Sequence, residues 1–161
     1  MTEAAAVETV RRVELTRVIR AKRARVFEAW TNPEIIGKWL PPGNMIGGKN
    51  SIDLRVGGRY RVEMKGGMEV HNAERELEKD DPVVTGEGVY RKIVPNERLV
   101  YTWAGSWNPA EETLVTVTFR DVDSGTEIHL VHEGFTSDQS LAAHKSGWEG
   151  SFHKLEGLFA S

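Results

Sequence analysis

At residues 138–160 the sequence reads DQSLAAHKSGWEGSFHKLEGLFA, and this stretch carries the clearest structural signal in the chain. Its large apolar residues follow one another at intervals of seven, four, three and four positions, which places them in one stripe of an α-helix. They are Leu141, Trp148, Phe152, Leu155 and Phe159. Ser137 or Asp138 is suited to cap the helix. A helix of this length spans about 34 Å, enough to cross a small sheet.

Three glycines interrupt this predicted helix, at positions 147, 150 and 157. Glycine inside a helix costs about 1 kcal/mol relative to alanine. Their presence therefore indicates either close packing against the helix or space for something else beside it.

Upstream of the helix, apolar and polar residues alternate in segments separated by turn residues, a pattern typical of half-buried antiparallel strands. The predicted strands cover residues 13–19, 52–54, 60–64, 83–94, 99–103, 115–119 and 128–132. Two short predicted helices follow the first strand: one ends at Asn32-Pro33, and the other starts at Pro33 and ends before Pro41-Pro42. This order predicts an α+β fold in which a curved antiparallel sheet wraps around the long C-terminal helix.

Length and composition narrow the class of protein. With 161 residues, we expect one domain over residues 13–161, preceded by a flexible arm at residues 1–12. The absence of cysteine excludes disulfides, zinc fingers and cysteine nucleophiles. Opposite charges nearly balance at a net −3, so we expect no nucleic-acid partner. No apolar run reaches the roughly 20 residues of a membrane span, and the start of the chain is acidic, so we expect no membrane insertion and a cytoplasmic location.

Two runs of charge stand out, and both are interpreted as solvated surface. One is acidic and covers residues 72–81, and the other is basic and covers residues 17–25.

Six local motifs occur in a recognisable order. They are VFEAWTNP at 26–33, KWLPP at 38–42, DLRVGGRY at 53–60, GVYRKIVP at 88–95, ERLVYTW at 97–103 and Gly147-Trp148. In this order the chain resembles the START-like (SRPBCC) superfamily, in the branch named for the activator of the heat-shock-protein-90 ATPase. The resemblance implies a helix-grip fold whose cavity, between sheet and long helix, holds sterols, lipids, polyketides or aromatic molecules in other members. Two features depart from the branch: the segment at 72–81 is longer, and 161 residues leave no room for the N-terminal domain of the eukaryotic activators.

Few residues suggest catalysis. His144 and His153 are nine positions apart, so they face opposite sides of a helix and are not expected to share a metal. No serine elbow and no phosphate-binding glycine loop are present, so we expect no catalytic constellation and no cofactor. His132 shares a strand face with Leu130, which predicts either a core histidine bonded to a carbonyl or water, or a polar anchor or proton donor at the cavity mouth.

The aromatic residues suggest a binding site. Trp107 lies in a predicted loop that covers the cavity mouth, and Trp30 and Trp39 are expected at the other lip. The predicted ligand-binding residues are Trp30, Trp39, Tyr60, Met64, Tyr90, Trp103, Leu130, His132, Trp148 and Phe152. The alternative interpretation is that these large side chains simply fill the space between sheet and helix.

Three functions are compatible with these features. The first is a cofactor-free binding protein for a small apolar or aromatic molecule, oriented by His132 or Tyr90. The second is a polyketide cyclase or hydrolase that uses the same cavity. The third, implied by the resemblance, is a stress-response partner of the heat-shock-protein-90 chaperone. A homodimer through exposed strand edges or the Trp107 loop is also possible.

Overall fold

The computed structural model describes residues 11–160. Within that range the strands are β1 (Arg12–Ile19), β2 (Ile46–Gly47), β3 (Ser51–Ile52), β4 (Arg59–Lys65), β5 (Val83–Val94), β6 (Arg98–Gly105), β7 (Thr113–Val122) and β8 (Gly125–Glu133). The helices are α1 (Arg23–Thr31), α2 (Pro33–Trp39), α3 (Met68–His71) and α4 (Asp138–Phe159). Residues 1–10 of the predicted arm lie outside the described residues, and Arg12 is already the first residue of β1.

The strands form one antiparallel sheet in the order β1-β8-β7-β6-β5-β4-β2, with β3 also paired to β4. The sheet curls around α4, so the predicted α+β helix-grip fold is confirmed. Alternating side chains point inward. His132 of β8 is paired with Val13 of β1 and with Val115 of β7, and Leu130 is the preceding inward residue on β8. No helix within residues 11–160 is both long enough and apolar enough to cross a membrane.

Local sequence signals explain where two of the helices begin. The side chain of Asn32 accepts a hydrogen bond from the backbone N–H of Glu34 at 2.9 Å, and Pro33 occupies the first turn of α2. The Ser137 hydroxyl accepts from the backbone N–H of Ser140 at 3.0 Å and starts α4. Each cap satisfies an N–H that has no partner inside its helix.

The C-terminal half of α4 packs tightly onto the two short helices. The Phe152 ring lies 6.0 Å from Trp30, and Trp30 lies 4.5 Å from Trp39, measured between ring centroids. The Ser151 hydroxyl donates to the carbonyl of Leu40 at 2.5 Å. These contacts join α4 to α1, α2 and the segment after α2.

The glycines of α4 have different surroundings. A Cβ at Gly150 would lie 3.1 Å from Pro42, and one at Gly147 would lie 3.3 Å from the imidazole of His71, whereas one at Gly157 would meet nothing within 4 Å. Close packing therefore explains the glycines at 147 and 150, and open space surrounds the one at 157.

The acidic segment at 72–81 is predicted to be solvated surface, and the structure corrects this prediction at the C-terminal end of the segment. Arg75 forms a salt bridge of 2.6 Å with Asp81, whose side chain is only 5% exposed. The hydrogen bond from Arg75, together with one from the backbone of Glu78, lowers the pKa of Asp81 to about 2. The sequence pattern also did not predict the short helix α3, which precedes this loop. Like and opposite charges along a chain do not reveal which of them pair in space.

Candidate ligand-binding cavity

A cavity of about 430 Å³ lies between the sheet and the N-terminal half of α4. The polar part of its wall consists of His71, Asn108, Ser137, Gln139, Ser140, His144 and Ser151. Most of the remaining wall is apolar, formed by methionine, tryptophan and aliphatic side chains. A mostly apolar concavity of this size with a few neutral polar groups is typical of small-molecule sites.

Two tryptophan rings pack directly against glycines of the sheet, where a larger residue would leave no room for them. A Cβ at Gly86 of β5 would overlap the Trp103 ring, and a Cβ at Gly105 would overlap the Trp107 ring. The centroids of the two rings are 6.4 Å apart. Trp107 is 50% exposed and contributes to the rim of the cavity, as does Met68, which is 55% exposed.

Three of the ten predicted ligand-binding residues line this cavity: Met64, Trp103 and Trp148. Met64 projects inward from β4 and Trp103 from β6, as strand alternation predicts. Trp148 belongs to the apolar stripe of α4 and is buried at the inner end of the cavity.

Trp30 and Trp39 were expected at a lip of the cavity, and the structure places them instead in the core. They are 2% and 0% exposed, and their indole N–H groups donate to the Tyr101 hydroxyl and the Ala29 carbonyl. The reason is that α1 and α2 fold onto the C-terminal half of α4, next to Phe152. The helical spacing of these rings indicates that they lie on a buried face, but it does not show which part of the interface between sheet and α4 that face contacts.

The other apolar and tyrosine predictions also lie away from the cavity wall. Phe152 and Leu130 are completely buried in the core. Tyr60 and Tyr90 pack on each other at 5.5 Å and on Tyr101. The Tyr60 hydroxyl donates to the Thr102 carbonyl. These residues support the sheet behind the site.

Of the two predicted alternatives for His132, the structure shows the core position: the ring is buried behind Trp148 and does not lie at the cavity mouth. Its Nδ1 accepts from the Trp148 indole at 2.9 Å, so the ring proton is on Nε2, which donates to the Thr113 hydroxyl at 2.7 Å. That hydroxyl donates in turn to the Trp103 carbonyl at 2.9 Å. Burial lowers the pKa of His132 well below its ordinary value, in agreement with a neutral ring. Both nitrogens are engaged, so His132 holds Trp148 and offers no free proton donor to the cavity.

His144 lies in the cavity wall and is linked to a buried carboxylate. Its Nδ1 is 2.8 Å from the Ser140 carbonyl, and its Nε2 accepts from the Trp103 indole at 3.3 Å. The Ser140 hydroxyl donates to Glu111 at 2.6 Å. Burial would raise the pKa of Glu111, but hydrogen bonds from Ser140 and Thr136 outweigh it and lower the pKa. Burial lowers the pKa of His144.

His71 reaches the wall from α3. Its Nε2 is buried and has no hydrogen-bond partner among the described residues. Its pKa is lowered by burial and, to a smaller extent, by the nearby His144. Within residues 11–160, no three or more histidine, aspartate or glutamate side chains cluster as metal ligands would.

Several wall residues were not predicted from the sequence. For Ser140 and His144 a signal existed, because successive spacings of four place them on one face of α4 with the predicted Trp148. For His71 and Met68 there was none, since they lie in a short helix that only its tertiary contacts reveal.

The fold recurs in solved structures of other proteins. CV1439 from Chromobacterium violaceum is 25% identical, with a TM-score of 0.71 over 92% of this chain and 96% of that one. MLL2253 from Mesorhizobium loti is 25% identical, with a TM-score of 0.67 over 91% and 95%. DynU16, a protein of the dynemicin biosynthetic locus, is 18% identical, with a TM-score of 0.67 over 91% of this chain and 46% of that one, which shows the fold alone.

Comparison with curated proteins found no match. The sequence profile of the family described as Activator of Hsp90 ATPase homolog 1-like protein matches residues 20–160. This range contains all of the helices and nearly all of the sheet. The chain therefore belongs to the family of Activator of Hsp90 ATPase homolog 1-like proteins.

Proposed function

We propose that this protein is a cofactor-free binding protein that holds a small apolar or aromatic molecule between the sheet and α4. The observation that carries the proposal is the cavity of about 430 Å³, which the protein's own side chains leave unfilled. Ligand cavities typically measure roughly 300–1,000 Å³ and are lined mainly by apolar and aromatic side chains.

The proposed contacts combine predicted and newly identified residues. Met64, Trp103 and Trp148 supply the buried wall, and Trp107 and Met68 supply the rim. The other predicted residues act indirectly in this proposal. The clearest case is His132, whose hydrogen bond fixes the orientation of the Trp148 indole, and Tyr90 supports the sheet beside Tyr60.

A first experiment asks whether a molecule co-purifies with the protein. Native mass spectrometry of the freshly purified protein is compared with the same sample after denaturation. We expect a discrete adduct that is lost on denaturation, and its mass would identify the ligand. The same native spectrum tests the homodimer, which stays a prediction.

A second experiment locates binding in the cavity. Phenylnaphthylamine, an uncharged fluorescent apolar probe, is titrated into the wild type and three variants. Ala143→Phe fills the cavity and is expected to abolish binding, while Trp107→Ala removes one aromatic contact and is expected to weaken it about three- to tenfold. Val56→Ala is the matched control, because Val56 is an exposed apolar residue outside the wall. Unchanged binding by Ala143→Phe, or absence of any binding and any adduct, contradicts the proposal.

A cyclase or hydrolase acting on a polyketide-like molecule is a second candidate function. It is supported by the Glu111–Ser140–His144 group at the cavity wall and by the fold shared with DynU16 of a biosynthetic locus. In this case His144→Gln would lower turnover of such a substrate without removing binding. Turnover is measured by mass spectrometry of the product. Equal turnover by the variant and the wild type would eliminate His144 as the acid–base group.

A partnership with the heat-shock-protein-90 chaperone is a third candidate, supported by the family to which the chain belongs. The measurement is the ATPase rate of the chaperone with and without this protein. A stimulated rate would support the partnership, and an unchanged rate at saturating concentrations would remove it.

A further inference from the structure

The wall of the cavity is uncharged. Among the described residues, those that line it include no lysine, arginine, aspartate or glutamate. An ion moved from water into such surroundings loses its hydration and finds no opposite charge, which is strongly unfavourable. The wall therefore has the composition of a site for neutral molecules.

The two histidines of the wall do not supply the missing charge. The hydrogen bonds of His144 need one ring nitrogen as a donor to the Ser140 carbonyl and the other as an acceptor from Trp103, which is the pattern of a neutral ring. His71 is partly buried beside it, and burial disfavours the charged form of both rings.

Two charged side chains close to the wall are occupied by contacts within the chain. The carboxylate of Glu111 accepts from the Ser140 hydroxyl and from the backbone N–H and hydroxyl of Thr136. The ammonium of Lys154 donates to the carbonyls of Pro41 and Met45. Neither group is among those that line the cavity, so neither is available as a counter-ion.

The apolar part of the wall favours flat aromatic rings. Three tryptophans and three methionines share it, namely Trp103, Trp107, Trp148, Met45, Met64 and Met68. Indole rings stack on other aromatic rings, and thioether sulfur makes favourable contacts with them. The polar groups that remain are neutral donors and acceptors, among them Asn108, Gln139 and the Nε2 atom of His71, which has no hydrogen-bond partner in the part of the chain that the structure describes.

We propose that the cavity selects uncharged aromatic molecules that carry a hydroxyl group, and discriminates against the same ring systems when they carry a carboxylate. This inference rests on the proposed function and narrows its ligand class. The hydroxyl hydrogen-bonds to the neutral polar groups of the wall, whereas a carboxylate in the same place has no cation to pair with.

Three matched probes test the selection: naphthalene, β-naphthol and β-naphthoate, each titrated by calorimetry or by quenching of tryptophan fluorescence at neutral pH. The ring is the same in all three, so differences report the substituent. We expect β-naphthol to bind more tightly than naphthalene, and β-naphthoate to bind at least about tenfold more weakly than β-naphthol.

A charge placed at the rim sharpens the test. Met68 lines the cavity and is 55% exposed, so Met68→Lys adds a cation there without burying it in the core. We expect this variant to raise the affinity for β-naphthoate relative to that for naphthalene at least about tenfold over the same ratio in the wild type. Val56→Lys is the control for net charge, because Val56 is 62% exposed and lies beside the opposite end of β4 from Met68.

The outcomes separate the two proposals. If β-naphthoate binds the wild type as tightly as β-naphthol does, the inference is overturned while the proposed binding function stands. If Val56→Lys improves β-naphthoate binding as much as Met68→Lys does, the discrimination reflects net charge and the inference is again wrong. If phenylnaphthylamine and all three probes fail to bind and native mass spectrometry shows no adduct, the proposed function itself is contradicted.

Discussion

The two halves of α4 face the same sheet and yet have opposite roles. Residues 148–159 bury Phe152 and Leu155 completely, and the Phe152 ring packs on Trp30, which in turn packs on Trp39. Only the first residues of this half, Trp148 and Ser151, also border the cavity. Residues 138–147 present mainly Ser140, Ala143, His144 and Gly147 to the same interface and line the cavity. One continuous helix thus forms both the packed core and the proposed binding site.

The difference teaches that side-chain size on the helix contributes to the cavity. In the N-terminal half serine, alanine and glycine border the interface, and such small residues leave a volume that large ones would fill. Interiors elsewhere in proteins are close-packed, and an unfilled space of this size lacks favourable contacts. We therefore test the cavity by filling it with a larger side chain, and the packed half of α4 by truncating a buried side chain.

The largest expected effect comes from truncating the packed half. Phe152→Ala removes a fully buried ring and is expected to lower the free energy of unfolding by about 3–5 kcal/mol. Trp107→Ala, at the rim, is expected to cost less than about 1 kcal/mol because that ring is half exposed. Urea denaturation of both variants checks the contrast. Similar losses of stability would mean that the packed core and the rim of the cavity do not differ as described.

The next effect is a loss of stability at mildly acidic pH. Burial lowers the pKa of His71, His132 and His144 in the folded protein below the ordinary value of 6.5. Between the folded and unfolded values the unfolded chain binds more protons, so stability is fully present above about pH 7 and falls as the pH decreases below 6.5. For His132, which is fully buried, we expect about 1.4 kcal/mol per pH unit once the pH is well below that value.

The pH range separates the loss of stability caused by the histidines from the loss caused by the carboxylates. Glu111 and Asp81 have lowered pKa values, and the stability they contribute is lost only as the pH falls below their unfolded values of about 4.5 and 3.8. Urea midpoints from pH 7.5 to 5.5 therefore report the histidines. His132→Gln can keep both hydrogen bonds to Trp148 and Thr113 while removing the titrating ring, so its profile should be flatter. An unchanged slope in this variant would show that His132 does not carry the effect.

The smallest effect distinguishes the glycines of α4. Gly157→Ala meets nothing within 4 Å and is expected to stabilise the protein by up to about 1 kcal/mol through helix propensity. Gly150→Ala gains the same propensity, but its Cβ would lie 3.1 Å from Pro42 and 3.4 Å from the backbone nitrogen of Gly43, so we expect no net gain or a loss. Thermal denaturation ranks the two variants. A gain at 150 that equals the gain at 157 would show that the contact with Pro42 is not tight.

Much of the fold was predictable because its signals are local. The stripe from Trp148 to Phe159 predicts a buried helix face, and Asn32-Pro33 and Ser137 predict helix starts that the structure confirms. Strand alternation correctly placed Met64 and Trp103 on the inner face. In each case the signal depends on neighbours within a few residues, through the periods of helix and strand.

The candidate site was only partly predictable because its wall comes from distant segments. Trp103 on β6, His71 on α3 and His144 on α4 meet through the curl of the sheet, and their spacing along the chain does not reveal that contact. The same limitation explains Trp30 and Trp39, which have the helical spacing of buried rings but pack on each other in the core, where Trp30 contacts Phe152.

The sequence by itself indicated many of the buried residues and the type of element in which they lie, since burial in the longer elements follows the helical and strand periods. Only the tertiary structure decided which buried residues fill the core and which border the cavity. The physical reason is that a cavity depends on the sizes of side chains brought together from α3, α4, β4 and β6. Local periodicity specifies a face, whereas volume is shared among elements that are far apart in the chain.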